Sequence, residues 1–114
     1  MKTIIAGSRG FDDYEFMTKE LSDVDFNITE VVSGTARGAD RLGERWADDN
    51  NISICRMPAD WDSHGRSAGF IRNEEMSKCS DALVAFWDGK SKGTKHMIDL
   101  ANKYDLKVKV VLVK

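Results

Sequence analysis

Residues 30–47 read EVVSGTARGADRLGERWA, and this stretch decides the fold. It begins as a short apolar run, passes through a loop with two glycines, and ends in a segment whose apolar residues recur with helical spacing. That spacing places Ala39, Leu42, Gly43, Trp46 and Ala47 at i, i+3, i+4, i+7 and i+8, the pattern of an amphipathic helix. The stretch therefore predicts a strand, a glycine-rich turn and a helix in succession.

The same succession recurs along the whole chain. Strands are predicted at Thr3–Ala6, Glu30–Ser33, Ile52–Met57, Asp81–Phe86 and Leu106–Val113. Helices are predicted around Tyr14–Leu21, Ala39–Ala47, Arg66–Lys78 and Met97–Tyr104. With right-handed crossovers, this alternation predicts an α/β fold: a Rossmann-like three-layer sandwich with a five-stranded parallel sheet. We favour the strand order 3-2-1-4-5, and the alternative is the flavodoxin-like order 2-1-3-4-5.

Composition limits the classes of function. The 114 residues carry 17 basic and 19 acidic side chains, a net charge of −2, and predict one domain over residues 1–114. Because duplex binding requires clustered Lys and Arg, a nucleic-acid partner is not expected. No apolar run approaches a membrane span. Cys55 and Cys79 lack metal-ligand spacing, which predicts reduced thiols in a cytoplasmic protein without a metal or cofactor. The composition is compatible with a monomer and with a homo-oligomer.

Three glycine-containing loops should meet at one edge of the predicted sheet, because ligands of such sheets bind beyond the carboxyl ends of the strands. Glycine lets the backbone approach an anion, and a helix N-terminus favours phosphate. The alternative is that these glycines serve turn geometry only. The predicted ligand contacts in the three loops are Gly7, Ser8 and Arg9; Gly34, Thr35, Arg37 and Gly38; and Gly89, Ser91, Gly93 and Thr94.

The long connection at residues 58–66 supplies groups that recognise a base or a sugar. Trp61 can stack on a base, and Arg66 adds a positive charge. Asp60 or Asp62 can accept hydrogen bonds from ribose hydroxyls or from a base amine. The alternative, equally weighted, is that Trp61 packs against the domain and the aspartates cap a helix.

Other polar and aromatic side chains are assigned from their positions in the predicted elements. Arg72 and Asn73 lie near the loop end of the third predicted helix, where they complement a phosphate or a sugar. Trp87 is also a candidate ligand contact, although its position at the end of a buried strand favours a structural role over stacking. Trp46 is predicted to be core. His64 and His96 lack a catalytic or metal-binding pattern, so both are expected to face solvent.

These residues carry a family resemblance over nearly the whole chain. The motifs are Gly7-Ser8-Arg9, residues 33–40, Pro58-Ala59-Asp60-Trp61, residues 64–69, Ile71-Arg72-Asn73 with Met76, and Phe86-Trp87-Asp88-Gly89 with Ser91, Gly93 and Thr94. The sequence resembles the YspA-like family of the SLOG superfamily, which joins the DNA-processing protein Smf/DprA with the Lonely Guy phosphoribohydrolases. The resemblance implies a Rossmann-like domain that binds nucleotides or nucleotide-derived ligands such as ADP-ribose, with relatives in bacterial and phage conflict.

The resemblance supports ligand binding more strongly than it supports catalysis. Lonely Guy enzymes carry a PGGxGT motif followed by a catalytic glutamate, whereas Thr94 is followed here by Lys95-His96. The favoured hypothesis is therefore a sensor or sequestering protein for an adenine or ribose phosphate. The alternative is an N-glycosidic nucleotide hydrolase in which Asp60, Asp62 or Asp88 replaces the glutamate. A DNA-processing adaptor ranks third.

Overall fold

The computed structural model describes residues 1–113. The strands are β1 (Lys2–Gly7), β2 (Glu30–Ser33), β3 (Ser53–Arg56), β4 (Ala82–Trp87) and β5 (Lys107–Leu112). The helices are α1 (Tyr14–Ser22), α2 (Ala39–Asp49), α3 (Trp61–His64), α4 (Ala68–Lys78) and α5 (Lys92–Lys103). A 3₁₀ turn over Gly65–Ser67 joins α3 to α4.

All five strands form one parallel sheet in the order β3-β2-β1-β4-β5. This order confirms the favoured prediction, and the alternative order 2-1-3-4-5 is wrong. β2 and β3 are added in turn on one side of β1. The chain then crosses to the other side of β1, where β4 and β5 are added. The strand order therefore reverses between β1 and β4, where Ile5 pairs with Val84 and Ala6 pairs with Ala85.

Apolar side chains cover both faces of the sheet, which explains why β1, β2 and β4 are nearly continuous apolar runs. One core cluster packs α1 and α2 on the sheet through Met17, Leu21 and Trp46. The opposite cluster packs α4 and α5 on the sheet through Met76 and Met97. The predicted three-layer sandwich is confirmed, as is the core position of Trp46.

The main local difference lies in residues 58–66, which the sequence predicts as a loop. Residues 61–64 form α3, and the Asp60 carboxylate caps this helix by accepting the Ser63 N–H at 3.1 Å. The α-helix predicted to begin at Arg66 begins at Ala68. Within residues 1–113, no helix combines the length and the apolar character needed to cross a membrane.

Candidate functional site

A cleft of about 800 Å³ lies at the carboxyl ends of the strands. It opens between the loops that follow β1 and β4, where the strand order reverses, and is bounded by the start of α2 and by α3, α4 and α5. This is the position at which doubly wound sheets bind their ligands. The sequence predicts a site at this same edge.

Ser8 forms the floor of the cleft and joins three elements. Its backbone N–H donates to the Phe86 carbonyl oxygen at 2.9 Å, and its own carbonyl accepts the Ala39 N–H at 3.3 Å. The Ser8 hydroxyl oxygen accepts the Asp88 N–H at 3.1 Å. Through these bonds, one buried residue fixes the loop after β1 against β4, α2 and the loop after β4.

Two glycines allow this close packing. A Cβ at Gly7 would overlap the Phe86 carbonyl oxygen and lie 2.9 Å from the Ala39 Cβ. A Cβ at Gly38 would overlap the Ser8 carbonyl oxygen, and its φ of 81° is a conformation that favours glycine. Both glycines are therefore required by the geometry of the cleft floor.

The loop after β2 uses several of its amides internally. The Thr35 N–H donates to the Ser33 hydroxyl oxygen at 3.1 Å, and the Ala36 N–H donates to the Asp40 carboxylate at 3.2 Å. Arg37 lines the cleft and is exposed. Gly34, Thr35 and Gly38, which the sequence predicts as ligand contacts, lie outside the lining of the cleft.

The loop after β4 is organised by Asp88 and Ser91. One Asp88 carboxylate oxygen accepts the N–H groups of Ser91 and Lys90, both at 2.8 Å, and these bonds lower the pKa of Asp88. The Ser91 hydroxyl oxygen caps α5 by accepting the Thr94 N–H and hydroxyl at 3.4 and 3.1 Å. Asp88, Ser91 and Thr94 line the cleft, as does Gly93.

Trp87 and Gly89, also predicted as ligand contacts, lie outside the cleft lining. The Trp87 indole N–H donates to the Ser91 carbonyl at 3.1 Å, so this side chain supports the loop from behind. Gly89 supplies a φ of 80° to the turn.

Arg72 and Asn73 of α4 connect two of the predicted loops, and we call this pair the α4 bridge. The Arg72 guanidinium donates to the Gly34 carbonyl oxygen and, at 3.0 Å, to the Asn73 side-chain oxygen. The buried Asn73 amide donates to the Gly93 carbonyl at 3.4 Å and contacts His96 Nδ1 at 3.2 Å. The α4 bridge therefore links the loop after β2 to the first turns of α5, and both of its residues line the cleft.

The prediction that His96 faces solvent is wrong. This residue is half-buried rather than solvent-facing, because it packs edge-on against Phe70 with ring centroids 4.5 Å apart and accepts a hydrogen bond from Asn73. Burial lowers its pKa. His64 is exposed, as predicted.

The lining of the cleft is strongly cationic. The charged side chains that line it are Arg9, Arg37, Asp40, Arg66, Arg72, Asp88, Lys90 and Lys92. Six cations thus face two carboxylates in a chain whose net charge is −2. Such an excess of positive charge attracts anions to the cleft. Within residues 1–113, no cluster of His, Cys, Asp or Glu side chains has the arrangement of a metal site.

Two exposed aromatic rings stand at the rim of the cleft. Trp61 on α3 is 60% exposed, and Phe70 on α4 is 53% exposed. The sequence predicts a stacking role for Trp61 but gives Phe70 no role. Asp60 and Asp62 lie outside the cleft lining, and Asp60 caps α3 instead.

Asp40 is the functional candidate that sequence reasoning missed. Asp40 lines the cleft although the residue is only 6% exposed. Burial raises the pKa of Asp40 to about 6, against the lowering effects of the Ala36 N–H and of Arg72. The available signal is its spacing, since Asp40, Gly43 and Ala47 share the buried stripe of α2. A carboxylate on an apolar stripe is unusual enough to mark a site.

Fold and cleft together define a Rossmann-like protein with a cationic cleft at the switch point of its sheet. Residues 1–64 match the profile of the family described as "YspA, cpYpsA-related SLOG family". The "Gene 61 protein" of Mycobacterium phage D29 is 35% identical over 117 residues, which cover 94% of this chain and 93% of that protein. No solved structure gives a significant match. The chain belongs to the YspA, cpYpsA-related SLOG family, as the sequence motifs predict.

Proposed function

We propose that the protein binds a nucleotide or a nucleotide-derived ligand of the adenine and ribose phosphate class, and that it acts in the cytoplasm as a sensor or sequestering protein. The main support for this proposal is that six cationic side chains and two exposed aromatic rings line one cleft at the switch point. Cations alone would suit any small anion. The aromatic rim adds a surface for a base, which inorganic anions lack.

The phosphates would lie between the starts of α2 and α5. Arg37 at the start of α2 and Lys92 at the start of α5 both line the cleft. Helix N-termini attract anions because their N–H groups and dipoles point outward. Two such positions in one cleft suit a ligand with two phosphate groups, such as an ADP-ribose-like molecule.

The base would lie at the rim, against Trp61 or Phe70. Stacking of a base on an aromatic side chain contributes about 1–3 kcal/mol to binding. Both rings are more than half exposed, so a base can reach their faces or edges without displacing core side chains.

The geometry gives less support to the alternative, an N-glycosidic hydrolase. Of the three carboxylates offered as replacements for the missing glutamate, Asp60 and Asp62 do not line the cleft. Asp88 lines it, but its carboxylate holds the loop after β4 together. A DNA-processing adaptor is opposed by the negative net charge of the chain.

The test is isolation under gentle conditions followed by mass spectrometry of any co-purified ligand, and then calorimetry. ADP-ribose, ADP, AMP, inorganic pyrophosphate and a random DNA duplex should be compared at physiological salt. We expect the adenine nucleotides to bind more tightly than pyrophosphate, and DNA to bind weakly or not at all. Micromolar binding of DNA with a steep salt dependence, or absence of nucleotide binding, would overturn the proposal.

A further inference from the structure

Asp40 is buried at the floor of a cationic cleft and is only partly satisfied. Within residues 1–113, its carboxylate accepts one hydrogen bond, from the Ala36 N–H at 3.2 Å, and forms no ion pair. Arg72 of α4 is the cation whose charge acts on it most, and Glu44 of α2 adds a repulsive charge. A buried carboxylate ordinarily has several donors, so this one has room for another.

The missing donor must come from the open side of the cleft, because the other side of Asp40 is packed in the protein. A fully ionised phosphate cannot supply it, because its oxygens only accept hydrogen bonds and carry negative charge. The group that meets Asp40 must therefore be a neutral or cationic donor on a ligand whose other parts are anionic.

In a nucleotide, the sugar lies between the base and the phosphates. The proposed function puts the base at the exposed rim formed by Trp61 and Phe70, and the phosphates at Arg37 and Lys92. Asp40 lies deeper than the rim, at 6% exposure, and in the first turn of the helix that follows Arg37. The sugar is thus the part of the ligand that this arrangement brings to Asp40.

We infer that the Asp40 carboxylate accepts a hydrogen bond from a ribose hydroxyl, so that the cleft selects ribonucleotides over their deoxy counterparts. This inference rests on the proposed function and adds to it the residue that recognises the sugar. A hydroxyl bonded to an ionised acceptor is worth roughly a ten- to hundredfold difference in affinity. The pKa of about 6 means that Asp40 is ionised at pH 7.5.

The competing role for Asp40 is purely structural, as the acceptor that holds Ala36. Asp40→Asn separates the two roles, because an asparagine side-chain oxygen can still accept the Ala36 N–H but lacks the charge. A structural role predicts that Asp40→Asn weakens all ligands together. Sugar recognition predicts that the variant binds pyrophosphate as well as or better than the wild type does, because a negative charge has left the cleft.

The experiment is calorimetry at pH 7.5 with ADP, 2′-deoxy-ADP, 3′-deoxy-ADP, the 6-deamino analogue of ADP, and inorganic pyrophosphate. The proteins are the wild type, Asp40→Asn, and Asp48→Asn as a control that removes one charge from an exposed position of the same helix. For the wild type and the control, we expect at least one deoxy analogue to bind ten- to hundredfold more weakly than ADP. In Asp40→Asn this ratio should fall to about threefold or less.

Equal binding of ADP and both deoxy analogues by the wild type would overturn the inference and leave the proposed function standing, as would discrimination that persists in Asp40→Asn. A loss seen on removing the 6-amino group, and not the hydroxyls, would also overturn it by assigning Asp40 to the base. If the wild type binds none of the nucleotides, the proposed function fails and the inference fails with it.

Discussion

The arginines of the cleft differ in how firmly they are held. Arg72 is half-buried and is fixed by the Gly34 carbonyl and the Asn73 side chain, so its guanidinium is oriented before any ligand arrives. Arg37 is exposed at the end of the loop after β2. Arg72 is therefore held in place without a ligand, whereas a ligand that bound at Arg37 would have to order that side chain at an entropic cost.

Arg37→Ala should weaken binding of a phosphate-containing ligand by roughly 1.5–3 kcal/mol, because the variant loses a charge-assisted hydrogen bond. Calorimetry with ADP measures the difference. Lys19→Ala is the matched control, since it removes one positive charge from an exposed position of α1. Equal affinity of folded Arg37→Ala and the wild type would remove Arg37 from the site.

Asp40 should also make stability depend on pH. Its pKa is about 6 in the folded protein against an ordinary 3.8, so between these values the folded state binds more protons, and its stability falls as the pH rises. The free energy of unfolding of Asp40→Asn, measured relative to the wild type, should therefore be higher at pH 7.5 than at pH 4.5 by roughly 2 kcal/mol. Urea unfolding of both proteins at the two pH values checks this. A difference that does not change with pH contradicts it.

Only some of the residues that line the cleft were predicted correctly from the sequence. Arg9, Arg37, Arg66, Arg72 and Asn73 all line it. Gly34, Thr35 and Gly38 do not, because side-chain acceptors within the protein take up the amides of Thr35 and Ala36, and Gly38 serves close packing instead. Phe70 could not be found from spacing, since α4 has weak amphipathic periodicity and gives no sign of which face meets the cleft.

Among the elements, α4 has the largest influence on the geometry of the site. The α4 bridge ties the loop after β2, through Gly34, to the first turns of α5, through Gly93 and His96. The separation between the two proposed phosphate positions therefore depends on a helix that lies beside both.

Asn73→Ala should lower the free energy of unfolding by about 1–3 kcal/mol, because it leaves the partners of a buried amide without hydrogen bonds. It should also weaken ADP binding, since Arg72 and the first turns of α5 lose their common support. Glu75→Ala, two residues along α4 and exposed, should change stability by less than about 0.5 kcal/mol. Denaturant unfolding of the two variants decides between them, and equal midpoints would show that the bridge contributes nothing.

Element boundaries show which local signals the sequence carries. The cores of all five strands were predictable from the sequence. β1, β2 and β4 are buried apolar runs with a glycine at or shortly after their ends, which is a strong signal. β3 is followed closely by Pro58, and β5 was recognised from valines that alternate with lysines. α3 was not, since it has four residues, none of them buried, and is defined mainly by the Asp60 cap. Its apolar pattern is too short to be told from that of a loop.

At the scale of the whole molecule, the strand order determines which loops come together to form the site. The order 3-2-1-4-5 places the ends of β1 and β4 side by side, and this single topological fact gathers loops that are far apart in sequence. The alternation of strands and helices predicted the parallel sheet but could not by itself choose between two orders. The observed order places the switch point between β1 and β4, whereas the alternative order would place it between β1 and β3.

We expect little or no release of base from adenosine, guanosine or cytokinin-type 5′-monophosphates, even at saturating ligand. Cleavage of an N-glycosidic bond requires stabilisation of the positive charge that develops on the ribose. Lys95-His96 follow Thr94 in this chain, whereas Lonely Guy enzymes carry a catalytic glutamate after the corresponding motif. Chromatography of the reaction mixture over many equivalents of substrate measures this. Multiple turnovers that disappear in Asp88→Ala or Asp40→Asn, with binding retained, would make the protein a hydrolase.

The hydrogen bonds made by Ser8 affect which parts of the protein can unfold locally. The Ser8 N–H and the Ala39 N–H are bonded inside the contact between the cleft floor and the core, whereas the Ser63 N–H lies in the exposed turn of α3. Amide deuterium uptake at Ser8 and Ala39 should therefore require unfolding of the whole sheet, while Ser63 should exchange through local fraying. We therefore expect the segment that carries Trp61 to open locally in the folded protein, while the hydrogen bonds of Ser8 and Ala39 persist until the sheet unfolds.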